Sequence, residues 1–210
     1  MKKFPIVILI SGRGSNLKAI IDAKDPLIEI KAVISNKSQA GGLLYAKQNN
    51  IKTEVLNHKN FKTRLEFDQA LQICIDKYQP ELIVLAGFMR ILSAEFVNHY
   101  QKRIINIHPS LLPTFKGLHT HKRVLEAKIK QHGASVHFLT EELDAGPVII
   151  QAQVPVFSDD NEDTLAARVL NEEHRIYPQA IHWFAEGRLK LRGQQVFLDN
   201  QIIEVPNETF

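Results

Sequence analysis

Short unbroken apolar runs alternate along this chain with stretches whose apolar residues recur every three or four positions. PIVILI at 5–10 is β-branched and free of polar residues, as a strand buried on both faces would be. SNLKAIIDA then changes to helical spacing, with Leu17, Ile20 and Ile21 on one side. IEIKAVIS (28–35) predicts a second strand, SQAGGLLYAKQNN a short helix and KTEVLN a short third strand. KTRLEFDQALQICIDKYQP is the clearest helix, with Leu65, Phe67, Leu71, Ile75 and Tyr78 near one stripe and Pro80 ending it. ELIVLAG is a buried strand, SAEFVNHY a helix with Ser93 as N-cap, and RIINIH the fifth strand.

Strand and helix thus take turns through the first half, as crossovers in a parallel sheet require. The second half differs. ASVHFLT and GPVIIQAQVPV lie close in sequence and read as an antiparallel pair. The stretch from Asn161 to Leu189 is one long helix or two, with Pro178 marking a break. QVFLDNQIIEV predicts a small hairpin at the sheet edge. The predicted fold is α/β, an open sheet with helices on both faces.

The composition changes this picture little. With 210 residues and 44% hydrophobic content the chain can bury a sizeable core as one domain. Its formal charge of +3 suits a small anionic ligand better than a nucleic-acid duplex. The single cysteine, Cys74, sits at a helical core position and points to a reducing compartment. The opening MKKFPIVILISG has an apolar run too short for a membrane span and no cleavage-like site. A cytoplasmic protein without membrane or nucleic-acid partners is expected, as a monomer or weak homodimer.

Two places carry chemistry. In ILISGRGSNL a strand runs into Gly12 and Gly14, with Ser15 and Asn16 opening a helix that Ser15 can cap. Open N–H groups there suit a phosphate. The third glycine and the downstream acid of a dinucleotide fingerprint are missing, as is the G-K-[ST] of a P-loop, so a monophosphate fits best. Arg13 can add charge beside it.

At the other place, Asn106 and His108 share a face at the end of strand five, before the rigid turn HPSLLP. Asp144 lies in EELDAGP ahead of another apolar strand. An amide can donate to an oxygen gaining charge, an imidazole can share a proton, and a carboxylate can hold the ring and favour its cation. None of the three is a good nucleophile, so one substrate, or water, would attack another directly. His119 and His121 of GLHTH diverge on a helix start, and no second cysteine or HExxH is present, so no metal is expected. His132 and His137 read as loop and strand residues without a special role.

ILISGRGSNL, VLAGFMRIL, INIHPSLLP, GLHTH, SVHF, ELDAGPVI and EHRIYP together resemble the folate-dependent formyltransferases, over nearly all of residues 5–191. The resemblance is to the glycinamide ribonucleotide branch. It implies transfer of a formyl group from 10-formyltetrahydrofolate to the amine of glycinamide ribonucleotide, in purine biosynthesis. It implies Asn106, His108 and Asp144 as the catalytic set and Gly14, Ser15 and Asn16 as the phosphate loop. It also implies Glu173 near the substrate amine, and Arg64, Met89, Arg90, Ile91, Leu92 and Asn106 at the folate. On this reading residues 1–210 form one domain. A Rossmann-like phosphate-binding half (1–100) precedes a catalytic and folate-binding half (101–191) and an edge hairpin or tail (192–210). The runner-up is a hydrolase of the same folate. Hydrolases of this kind usually carry an extra N-terminal regulatory domain, and methionyl-tRNA formyltransferases an RNA-binding C-terminal one.

Overall fold

The computed structural model describes residues 2–203. These divide into two compact units. One runs to Asn106 and takes in Leu139–Glu141, and the other holds Ile107–Phe138 and the described residues from Glu142 onward.

The first unit contains β1 (Phe4–Ile10), α1 (Ser15–Asp22), β2 (Ile28–Ser35), α2 (Gly42–Gln48), β3 (Thr53–Val55), α3 (Arg64–Asp76), β4 (Leu82–Leu85) and α4 (Ala94–His99), and ends within β5 (Ile104–His108). β2 pairs with β3 and β1, and β4 with β1 and β5, all parallel, so the spatial order is β3-β2-β1-β4-β5. The order reverses between β1 and β4. Loops leaving neighbouring strands there turn to opposite faces and open a crevice for a ligand. The expected parallel α/β half is present.

Val7, Leu9, Ala32, Ile34, Ile83 and Leu85 point to one face, where α3 and α4 add Phe67, Leu71, Ile75, Phe96 and Tyr100. Each large side chain so buried contributes roughly 1.5–3 kcal/mol. On the other face Ile10 and Leu17 of α1 both pack against Gly42 at the start of α2. α3 begins in a capping box between Thr63 and Glu66. Leu65, expected in its apolar stripe, is instead 42% exposed, because it falls nearly half a turn around the helix from Phe67 and about a third of a turn from Leu71. Cys74 is in the core as expected.

The second unit holds α5 (Thr120–Glu126), β6 (Gln131–Phe138), β7 (Val148–Pro155), α6 (Glu162–Ala185), β8 (Leu189–Arg192), β9 (Gln195–Leu198) and β10 (Gln201–Ile202). β6 and β7 are antiparallel, as expected. β6 starts three residues before the predicted strand, so His132 is a buried strand residue and not a loop residue. α6 packs on both strands through Leu165, Val169, Ile176, Tyr177, Ala180 and Ile181.

Two expectations are corrected here. The break at Pro178 does not occur, since α6 continues through it for 24 residues. The missing N–H removes one helical hydrogen bond, and burial of Ile176, Tyr177, Ala180 and Ile181 on either side holds the helix together. The tail is not a hairpin on the edge of the main sheet. β8, β9 and β10 form a three-stranded antiparallel sheet of their own, and its first strand, Leu189–Arg192, begins at the residue that closed the predicted helical stretch. Glu204 and Val205 of the predicted hairpin lie outside the described residues. No helix among the described residues is long and apolar enough to cross a membrane.

Candidate functional site

In the second unit a polar cluster is assembled around His108, which is only 6% exposed. Its Nδ1 lies 3.3 Å from Asp144 Oδ2, and its Nε2 lies 3.0 Å from the Phe115 carbonyl oxygen. A carboxylate and a carbonyl can only accept, so a neutral ring satisfies one of them and an imidazolium satisfies both. Asp144 also accepts the Gly117 N–H at 2.9 Å. The residue is placed by an unusual backbone, φ +49°, a left-handed conformation that aspartate tolerates better than most side chains.

Sequence reasoning missed His137. It is fully buried on β6, and its Nε2 lies 3.8 Å from Asp144 Oδ1. Its Nδ1–H donates to the Phe138 carbonyl at 2.9 Å. Burial holds its pKa well below the ordinary imidazole range, so it is neutral at pH 7. Asp144 therefore stands between two imidazoles, one of them kept uncharged by desolvation. Strand alternation in SVHF, which puts Ser135 and His137 on one face, was the available signal.

The turn that brings Phe115 to His108 is pinned by hydrogen bonds. Ser135 Oγ donates to the Ser110 carbonyl at 2.6 Å and accepts the Leu112 N–H at 3.0 Å. Gln151 Nε2 donates to Ser135 Oγ and to the Leu112 carbonyl, each at 2.8 Å. Nearby, His121 Nδ1 and His132 Nε2 are 3.1 Å apart, so one donates and the other accepts. Burial lowers both pKa values, that of His132 to about 4. Among the described residues no group of three or more His, Cys, Asp or Glu side chains is placed to hold a metal ion.

Of the expected catalytic residues, His108 and Asp144 are thus in direct contact. Asn106 precedes His108 by two positions on β5 and is half-buried. Glu173 is a buried residue of α6.

In the first unit the glycine loop follows β1. Gly14, not Ser15, occupies the N-cap of α1, at φ +82°, and no side chain caps the helix. Ser15 is the first helical residue, because the chain turns through a left-handed conformation that glycine alone adopts without cost. The turn thus opens the helix without a capping side chain, as a loop built to receive an anion would.

The segment after β4 carries the other expected ligand residues. Met89 and Ile91 are 66% and 60% exposed, whereas Phe88 and Leu92 are buried. The Arg90 guanidinium lies 5.4 Å from the centre of the Phe67 ring, and its Nε is buried without a hydrogen-bond partner. Asp68, 2% exposed, accepts the Ser93 N–H at 2.6 Å and so fixes the end of this segment, while its Oδ1 has no partner. Burial raises the Asp68 pKa. Arg64 is the exposed first residue of α3, one turn before Asp68.

Comparison with known proteins identifies the family of the chain. The formyl transferase family model matches residues 4–181. Phosphoribosylglycinamide formyltransferase of Escherichia coli strain K12 is 55% identical over 199 residues, covering 93% of this chain and 94% of that protein. The Haemophilus influenzae protein of the same name is 45% identical over 206 residues, 97% of this chain and 96% of its own. The solved structure of the Coxiella burnetii phosphoribosylglycinamide formyltransferase superimposes with a TM-score of 0.93 at 52% identity and covers 97% of both chains. The family match spans the glycine loop, the His108–Asp144 pair and most of α6, and the chain belongs to the formyl transferase family.

Proposed function

We propose that this chain transfers the formyl group of 10-formyltetrahydrofolate to the amine of glycinamide ribonucleotide, a step of purine biosynthesis. The observation that carries the mechanism is the buried His108, with both ring nitrogens against acceptors and one of those acceptors the Asp144 carboxylate. Full-length relatives named as phosphoribosylglycinamide formyltransferases support the substrates.

The attacking amine adds to the formyl carbon, and the carbonyl oxygen becomes an oxyanion. Asn106 donates a neutral amide N–H to that oxygen, and the His108 imidazolium stabilises it with a charge-assisted hydrogen bond. Asp144 offsets the cost of burying the imidazolium. The substrate oxygen must replace the Phe115 carbonyl at Nε2, because that nitrogen has one proton to donate. The ammonium formed on attack gives up its proton, the folate nitrogen accepts one, and the C–N bond to folate breaks. Glu173 lies on the acceptor's amine side.

Gly14, Ser15 and Asn16 hold the ribonucleotide phosphate at the start of α1. Met89, Arg90, Ile91 and Leu92 line the pterin pocket, and Arg64 contacts the folate. The fit is supported by the unpartnered Arg90 Nε and Asp68 Oδ1, a buried donor and a buried acceptor beside exposed apolar Met89 and Ile91. No metal enters the scheme.

The test is a spectrophotometric assay of 10-formyltetrahydrofolate with and without glycinamide ribonucleotide. Tetrahydrofolate is expected only with the acceptor, matched mole for mole by formylated ribonucleotide. Equal release without acceptor would make the chain a hydrolase and overturn the proposal.

A further inference from the structure

The loops after β1 and β4, assigned above to the phosphate and the pterin, leave the sheet from neighbouring strands. Between them sits Ser11, 3% exposed, which the mechanism leaves without a task. Its N–H donates to the Gly87 carbonyl at 3.1 Å, joining the exits of β1 and β4. Its Oγ accepts the Met89 N–H at 2.8 Å and donates to Asn36 Oδ1 at 2.6 Å. One hydroxyl therefore fastens the first residue of the pterin segment to the residue that follows β2.

Asn36 continues the connection. It is 1% exposed, and His58 Nδ1 lies 3.3 Å from its Nδ2 and 3.1 Å from its carbonyl oxygen. The chain beyond Asn36 runs to Gly41 and Gly42, which back the phosphate loop. The Gly42 N–H donates to the Gly12 carbonyl at 3.1 Å. A Cβ on Gly14 would stand 2.4 Å from Gly42 Cα, so the two backbones are in direct contact. A displacement of the 36–42 loop is thus transmitted to Gly12 and Gly14 by contact, and a displacement of Met89 reaches the same loop through two hydrogen bonds.

We propose that Ser11 is a positioning residue that sets the pterin segment in register with the phosphate loop, so that the affinity for each substrate depends on the other. The proposal rests on the assignment of those two loops to folate and phosphate. The physical reason is that Ser11 Oγ is the shared partner of Met89 and Asn36. A geometry that suits one ligand is imposed on the other loop through it, and coupling of this kind is reciprocal.

Titration calorimetry of the whole chain tests it. Glycinamide ribonucleotide is titrated into the protein alone and into protein saturated with tetrahydrofolate, the product folate, which has no formyl group to transfer. The two dissociation constants are expected to differ by about fivefold or more in the unaltered chain, at the low end of ordinary coupling. In Ser11→Ala the ratio is expected to fall to within about twofold of one. Ser11→Cys keeps the volume but offers a weak hydrogen-bonding sulfur, and gives the same reading if the alanine variant does not fold. A merely structural Ser11 would lower the Tm of the variants and leave the ratio unchanged, and that result overturns the proposal. So does a ratio near one in the unaltered chain. If the unaltered chain binds neither ribonucleotide nor folate, the loop assignments fall first, and the proposal with them.

Discussion

His108 shows how a single residue draws its chemistry from its partners. An imidazole on a strand end is ordinary until a carboxylate stands 3.3 Å from one nitrogen and a carbonyl 3.0 Å from the other. His108→Ala is expected to lower kcat by about a hundred- to ten-thousand-fold, the range for loss of a positioned acid or base, with the far-ultraviolet circular dichroism unchanged. A variant with full activity would remove His108 from the mechanism. Asp144→Asn keeps an oxygen for the Gly117 N–H but removes the negative charge 3.3 Å from His108 Nδ1. It should lower kcat by about a hundredfold or more, with the circular dichroism unchanged. An unaltered kcat would show that Asp144 acts only by position. The sequence made His108 and Asp144 legible as candidates, but not His137, since whether a histidine in an apolar strand is neutral filler or a member of the cluster depends on what faces it.

The elements differ in how far local signals set them. α3 and α6 begin where side chains can satisfy open N–H groups, at Thr63 with Glu66 and at Asn161 with Thr164. Asn161→Ala removes the bond from the Thr164 N–H to Asn161 Oδ1, 2.9 Å long. It should cost about 1 kcal/mol in urea unfolding, and no change would mean that Asp160, which accepts the Thr164 hydroxyl, holds the helix start without the cap. α1 behaves differently. Its N-cap glycine supplies a turn and no capping side chain. Pro178 shows where a local signal loses, because an interior proline weakens a helix by an amount that the burial of several large side chains exceeds.

For the molecule as a whole, the histidines of the second unit make stability depend on pH. Burial lowers the pKa values of His121, His132 and His137, that of His132 to about 4 from 6.5. The unfolded chain then binds more protons than the folded one between those values. Stability is complete above about pH 6.5 and is lost as pH falls toward 4, with His132 alone contributing up to about 1.4 kcal/mol per pH unit. Urea unfolding at pH 7.5, 6 and 5 should show this decline, and His132→Gln should flatten it. An equally steep decline in that variant would assign the effect to other groups.

The sequence by itself determined the α/β alternation, the parallel first half, the antiparallel β6–β7 pair, the glycine loop and the Asn106–His108 spacing. All of these are periodicity or short-range chemistry, written within a few residues of where they act. Only the tertiary structure decided that α6 runs unbroken and that β8–β10 form a sheet of their own. It alone set the contacts among His108, His137 and Asp144 and the meeting of Met89 and Asn36 at Ser11. Those features depend on burial and on contacts between residues far apart in the chain. Their energies belong to pairs of residues, and no local pattern along the sequence records the pairing.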